Sequence, residues 1–186
     1  HSTPGGYTAG FYRKGYYFES GTLTFEASSS VFKAMKDIGL LEKIDFTKIR
    51  VRFVSEHFDG SPDNYDDYKK MIYSGFPSDQ EKLDKAFAEL NKIIDLMGNM
   101  NGPMPNLYSG FAMFKTMLPY ILSAPKYVKL SKQYGHMTSS EFAARFFEKD
   151  SKLFHLFSGI SYPDMSPMLI GAALLTIFTD LWTVKS

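Results

Sequence analysis

The residues best suited to binding a cofactor lie in the first 26 positions of the chain. Gly5 and Gly6 follow a proline, and a glycine pair lets the backbone approach a ligand closely because no Cβ intervenes. Backbone N–H groups at such a turn can form a concave site for a phosphate group. The alternative is a tight turn without a ligand, since short glycine motifs often occur without one.

Aromatic residues on either side of Lys14-Gly15 predict a β-hairpin in the same stretch. Tyr16-Tyr17-Phe18 favours a strand, and Lys14-Gly15 suits the corner that precedes it. Glu19 is the carboxylate of most interest, because it lies between these aromatic residues and the pair Gly21-Thr22. The hairpin would therefore hold a carboxylate beside the Gly-Thr pair at which the chain leaves it.

The order of these residues resembles a segment of the FAD-dependent oxidoreductases of the phytoene desaturase, carotenoid isomerase and retinol saturase group. That group has Gly-Gly and then Gly-aromatic-x-Phe-Asp/Glu-x-Gly-Thr, and this chain reads Gly15-Tyr-Tyr-Phe-Glu-Ser-Gly-Thr22 after its glycine pair. The resemblance implies that Gly5 and Gly6 lie near the flavin phosphates. It implies that Glu19, Gly21 and Thr22 lie near the flavin ring or the substrate entrance. Tyr7 is a departure, since the group often has Arg there.

A complete flavin domain also needs a Gly-x-Gly-x-x-Gly turn between a strand and a helix. That glycine spacing is absent from all 186 residues. The resemblance therefore implies an internal fragment of a larger Rossmann-like oxidoreductase, with a flavin-domain remnant in residues 1–26 and a substrate-binding cap in residues 27–186. The parent would use FAD on a lipophilic polyene or isoprenoid, and its missing flavin-binding domain would be a partner. We expect the fragment alone to hold no cofactor and to be inactive, and no catalytic residue is identified.

The aromatic content suits either a broad core or a channel for an apolar ligand. Aromatic residues make up 16% of the chain, with 17 Phe, and 10 Met add adaptable apolar surface. In a cap domain they would line an apolar tunnel. The candidate substrate-binding residues are Phe111, Phe114, Met117, Phe142, Phe146, Met168 and Phe178.

Composition argues against several other functions. The net charge is +1, so a dense basic face for nucleic acid is not expected. The chain has no cysteine, which excludes disulfides and thiolate catalysis, and its four histidines lack a metal-ligand spacing, so no metal site is expected. No Gly-x-Ser-x-Gly elbow supports a hydrolase. Without cysteine or a signal-peptide pattern we expect a cytoplasmic location.

The elements that would position these residues form an α+β domain dominated by helix, with a small N-terminal antiparallel sheet. Apolar periodicity predicts helices over 24–38, 65–73, 107–122 and 168–181, and a further one from the cap at Ser78 to Met97. It also predicts a short helix from Pro125 and a strand over 49–54. Two capping boxes are predicted, Ser78 with Glu81 and Thr138 with Glu141. Ser166-Pro167 is predicted to start the last helix, and residues 59–64 to form a turn.

Peripheral contact with a membrane is a further expectation. Four lysines stand near tyrosines, and this mixture suits a membrane interface. A solvated basic helix face is the alternative explanation. The lysines are Lys115, Lys126, Lys129 and Lys132. The segment 168–181 is shorter than the roughly 20 residues needed to span a bilayer. A second hypothesis is therefore a stand-alone module that binds apolar ligands or a membrane surface without redox chemistry.

Overall fold

The computed structural model describes residues 10–19, 24–26, 28–99 and 104–184. Within them the chain is mainly helical, with three two-stranded antiparallel sheets. The helices are α1 Ser28–Asp37, α2 Tyr65–Gly75, α3 Gln80–Asn99, α4 Gly110–Tyr134, α5 Ser139–Ala143, α6 Lys152–Gly159 and α7 Met168–Thr179. The strands are β1 Gly10–Arg13, β2 Tyr16–Glu19, β3 Phe46–Lys48, β4 Phe53–Val54, β5 Asp59–Gly60 and β6 Trp182–Val184. The predicted class, mainly helix with a small antiparallel sheet, is confirmed.

The core forms where α7 packs along α3. The buried side chains of α3 recur every three or four residues, as one face of an amphipathic helix requires. Helix α7 is apolar nearly all round, and one side of it is buried in this core. Gly171 lets the two helices approach, since a Cβ at that position would lie 2.5 Å from Ile93 Cγ2. The fully or nearly buried residues of the two helices are Leu83, Ala86, Phe87, Leu90, Ile93, Leu96, Met168, Ile170, Leu174 and Phe178.

A second cluster of aromatic rings joins Trp182 of β6 to Phe25, Phe32 and Phe46. Strand β6 pairs with β3, and Phe25 exchanges backbone hydrogen bonds of 2.8 and 3.0 Å with Trp182. The Phe32 ring meets Trp182 edge-on at 5.3 Å and Phe46 at 5.1 Å. Buried Asp180 accepts hydrogen bonds of 3.1 Å at both carboxylate oxygens from the Ser28 N–H, so it satisfies a free donor at the start of α1.

Several predicted boundaries are wrong, and each has a tertiary or local cause. Helix α1 begins at Ser28 rather than Thr24, because Phe25 bridges to Trp182. Asp59-Gly60, predicted as turn, form β5 opposite β4, and only Phe53–Val54 of the predicted strand 49–54 is paired as a strand. Helix α7 ends at Thr179, before Leu181, because the chain turns there into β6.

The predicted caps have mixed outcomes. The capping box of Thr138 and Glu141 is confirmed in both of its hydrogen bonds. The box of Ser78 and Glu81 is wrong, because residues 77–79 form a 3₁₀ turn and the Ser78 hydroxyl donates to Asp79 instead. The predicted cap of α7 at Ser166 is wrong, because the helix begins at Met168 and its N-cap position is Pro167. The Ser166 hydroxyl still accepts a hydrogen bond of 3.3 Å from the N–H of Met168.

Helix α4 runs through both of its prolines. The prediction of a new helix at Pro125 is wrong, since Pro119 and Pro125 both lie inside the 25-residue helix Gly110–Tyr134. Proline removes one backbone hydrogen bond, and its ring disturbs the preceding turn. Both prolines are exposed, so water can reach the helix on that side. None of the described helices is both long and apolar enough to cross a bilayer.

We expect Gly171→Ala to lower the free energy of unfolding by about 1–3 kcal/mol, because the new methyl group would overlap Ile93. The chain's single tryptophan provides the fluorescence signal for urea unfolding. Gly159→Ala is the control, since a Cβ there meets no described atom within 4 Å. Adding Ile93→Ala to Gly171→Ala should give a loss smaller than the sum of the single changes. A Gly171→Ala protein as stable as the original would contradict close packing at this point.

Candidate ligand-contact surface

The predicted flavin-contacting residues fall at the edge of the described structure. All five lie outside what the structure describes: the residues Gly5, Gly6, Gly21 and Thr22, and the side chain of Glu19. The adjoining hairpin is described, with Phe11 opposite Phe18 and Arg13 opposite Tyr16. Lys14 and Gly15 have φ values of 52° and 81°, as a type I′ turn requires at both central residues. The predicted hairpin and its corner are therefore confirmed, and the flavin contacts stay predictions.

The hairpin exposes much of its aromatic surface. Tyr16 is 71% exposed, and Phe11 and Phe18 stack at 5.4 Å while each stays about half exposed. The contacts that dominate the hairpin are those between its own two strands. Because an isolated two-stranded hairpin is marginally stable in water, this surface is suited to packing against another apolar partner.

The seven candidate substrate-binding residues divide into two groups. Phe142, Met168 and Phe178 are buried in the helical core, and half-buried Phe146 packs edge-on against Phe142 at 5.3 Å. Phe111, Phe114 and Met117 lie instead on α4 and point outward. The structure therefore does not bring the seven into one cavity. Apolar spacing identifies a face of a helix but does not tell whether the core covers it.

The outward residues of α4 form a continuous apolar surface. We call Phe111, Phe114, Met117, Leu118, Ile121 and Leu122 the α4 outer face. Their spacing of three and four residues places them on one side of the helix. Phe111 is 80% exposed and Leu122 71%, and the other four are between 37% and 54% exposed. Sequence reasoning proposed three of these residues as tunnel lining and missed that all six face outward together.

The charge of α4 differs from that of the other long helices. Residues 110–134 contain four lysines and neither aspartate nor glutamate. Lys115, Lys126, Lys129 and Lys132 are exposed, and none is in an ion pair with any carboxylate of the described residues. Exposed lysines of α3 pair along their own helix, as Lys85 does with Glu81 at 2.6 Å. The exposed side of α4 is therefore both apolar and cationic.

The C-terminal end of α4 is held to α3 by a polar contact. The Tyr134 side chain is fully buried, and its hydroxyl donates to the Glu89 carboxylate. Burial, together with this hydrogen bond, raises the pKa of Tyr134 to about 12. Partial burial acts to raise the pKa of Glu89, but hydrogen bonds from Lys92 and Tyr134 outweigh it and lower that pKa. Leu130 is the other buried residue of α4, so the contact with the core lies near one end.

The surface pockets are small compared with a long polyene. One pocket of about 370 Å³ lies between α6 and the turn after α2, and His57, Phe76, Lys82 and Lys152 are among its lining residues. Another, of about 280 Å³ and more apolar, is lined by Tyr65, Ile94, Leu174 and Phe178 among others. The described part of the chain holds no group of three His, Asp or Glu residues placed to bind a metal ion. The α4 outer face, by contrast, exposes six apolar side chains together.

Comparison with known proteins gives no relative. No protein family, no curated protein and no solved structure matches the chain significantly. The resemblance to flavin-dependent oxidoreductases therefore rests on the residues of the N-terminal segment, chiefly residues 4–26, and stays a prediction.

We expect Tyr134→Phe to lower the free energy of unfolding by about 1–2 kcal/mol at neutral pH, because Glu89 loses a donor. A carboxyl with a lowered pKa stabilises the fold above its unfolded pKa, near 4, and that contribution disappears as pH falls through the folded pKa. The difference between the two proteins should therefore shrink in acid. Urea unfolding at several pH values measures it, with half-exposed Tyr127→Phe as the control. A loss independent of pH would mean that Glu89 is not the acceptor.

Proposed function

We propose that residues 27–186 form the substrate-binding cap of an FAD-dependent oxidoreductase acting on a lipophilic polyene or isoprenoid. Residues 1–26 would belong to its flavin domain. The observation that carries this proposal is the hairpin, which combines the sequence pattern Gly15 to Thr22 with an aromatic surface that the helical core does not cover.

The missing flavin domain is the proposed partner of the hairpin. The exposed rings of Phe11, Tyr16 and Phe18 would pack on that domain, and the pairing of β1 with β2 directs the chain after Phe18 back toward Gly10. Glu19, Gly21 and Thr22 follow directly, so they would stand where the two domains meet. Gly5 and Gly6 would approach the phosphates of the dinucleotide.

The redox chemistry of such an enzyme belongs to the bound flavin, which exchanges a hydride with the substrate. The chain's own side chains would bind the substrate, orient it and exclude water. Of the seven candidate substrate-binding residues, Phe111, Phe114 and Met117 are the ones a lipophilic molecule can reach from outside. The proposed task of Phe142, Phe146, Met168 and Phe178 is to hold the cap together.

A second candidate function is a stand-alone module that binds an apolar ligand or a membrane surface. The α4 outer face favours it, because this surface needs no flavin in order to bind. The two candidates differ in whether the natural protein contains a flavin.

The deciding experiment is to purify the longest natural polypeptide that carries this segment, alongside the 186-residue chain. We expect the visible absorption of oxidised flavin in the longer protein, because it would supply the Gly-x-Gly-x-x-Gly turn, and no flavin in the shorter one. Flavin in neither protein would rule out the oxidoreductase and leave the binding module. Stoichiometric flavin in the 186-residue chain would contradict its assignment as a cap.

In the flavin-containing protein we expect Gly6→Val to weaken FAD binding by about tenfold or more, since its branched side chain would keep the backbone from the phosphates. Flavin retained after dialysis, relative to protein, measures the loss. Gly159→Ala is the control, because that glycine lies at the end of α6 with open space around it. Equal flavin retention in both variants would remove Gly6 from the flavin site.

A further inference from the structure

The α4 outer face is a large apolar surface that the described part of the fold does not cover. We propose that it docks the protein onto an anionic lipid bilayer, with α4 lying in the plane of the membrane surface. The inference does not rest on the proposed flavin chemistry, because it uses only the exposure and charge of one helix.

The placement of α4 on the fold leaves it free to lie flat on a surface. Its 25 residues extend over about 37 Å, and its buried residues, Leu130 and Tyr134, both lie near the C-terminal end. On the helix wheel, Phe114, Leu118 and Ile121 lie on the side opposite Leu130 and Tyr134. The core therefore holds α4 by one side and one end and presents the other side outward.

The distribution of charge selects an anionic lipid surface as the occupant. The α4 outer face occupies residues 111–122, and Lys126, Lys129 and Lys132 follow in the next three turns. Helices that lie in a membrane interface combine a broad apolar side with lysines that reach lipid phosphates. A bilayer containing anionic lipid offers both kinds of contact at once, an acyl boundary for the rings and phosphates for the lysines.

A second copy of the chain fits this surface less well. In a symmetric dimer the same patch contributes from both subunits. Parallel pairing of two α4 helices would set lysines against lysines, and antiparallel pairing would set Lys126 and Lys129 against the apolar half. Neither arrangement supplies a carboxylate, because α4 contains none.

Docking in this orientation would bring molecules dissolved in the bilayer to Phe111 and Phe114 without passage through water. The side chains of the α4 outer face would reach the boundary between headgroups and acyl chains, roughly 5–10 Å below the surface. The rest of the helical core would lie on the aqueous side, since it packs against the opposite side of α4.

The test is flotation of the protein with vesicles of phosphatidylcholine alone or mixed with phosphatidylglycerol. We expect binding to the mixed vesicles, weaker binding to phosphatidylcholine, and a decrease with added salt, because screening weakens the lysine contacts. The 186-residue chain and its longest natural form should both bind. Absence of binding to the mixed vesicles, or equal binding to both compositions, would overturn the proposal.

Matched variants assign the binding to α4. Lys126→Gln with Lys129→Gln should weaken binding to the mixed vesicles about 25-fold, since each lysine near an anionic surface contributes roughly a factor of five. Phe114→Ser with Leu118→Ser should weaken binding about tenfold or more. The controls are Lys36→Gln with Lys149→Gln and Ile38→Ser with Val54→Ser, which change exposed residues elsewhere and should bind unchanged. Equal losses in the controls would overturn the assignment to this face.

A single label then reports the depth of α4. The chain has no cysteine, so Ile121→Cys can carry one polarity-sensitive dye, with exposed Val54→Cys as its control. We expect a shift to apolar emission with mixed vesicles at position 121 only. A shift without vesicles that grows with protein concentration would identify a second copy as the occupant. A shift without vesicles only in the flavin-containing protein would identify the flavin domain. Either outcome would overturn the proposal.

Discussion

The close approach of α3 and α7 is the constraint on which the rest of the structure depends. Gly171 removes the side chain that would separate the helices, and Ile93 fills the space. With α7 fixed along α3, the chain beyond it places Asp180 at the start of α1 and Trp182 against Phe25. One helix pair therefore sets both the main core and the position of the second cluster of aromatic rings, around Phe32 and Trp182.

The attachment of α4 near one end explains why it is so exposed. Helix α3 packs mainly on α7, and it contacts α4 near the C-terminal end of that helix. Tyr134 and Leu130 make that contact, and the hydrogen bond from Tyr134 to Glu89 fixes it. The apolar residues earlier in α4 have no comparable site on the described fold. Their exposure is a consequence of helix length and of where the helix is attached.

The two proposals together describe how a lipophilic molecule would pass from a bilayer to a flavin. The hairpin points to a flavin domain, where oxidation or reduction would occur, and the α4 outer face points to the bilayer, where such a molecule dissolves. The cap would connect them through apolar contacts alone, which accords with an enzyme whose cofactor does the chemistry. The first proposal is carried by the hairpin and the second by the exposure and charge of α4, so each can fail separately.

The sequence by itself determined the features that depend on neighbours along the chain. The stripe from Leu83 to Leu90, the Lys14-Gly15 corner and the cap at Thr138 follow from helical period, positive φ and local hydrogen bonds. Only the tertiary structure decided features that depend on distant partners: the start of α1 at Ser28, set by Phe25 and Asp180, and the pairing of β3 with β6. The tertiary structure also decided that Phe111 is exposed and Phe142 is buried. Both residues belong to apolar helical patterns, and only the packing of whole helices determines which pattern faces the core.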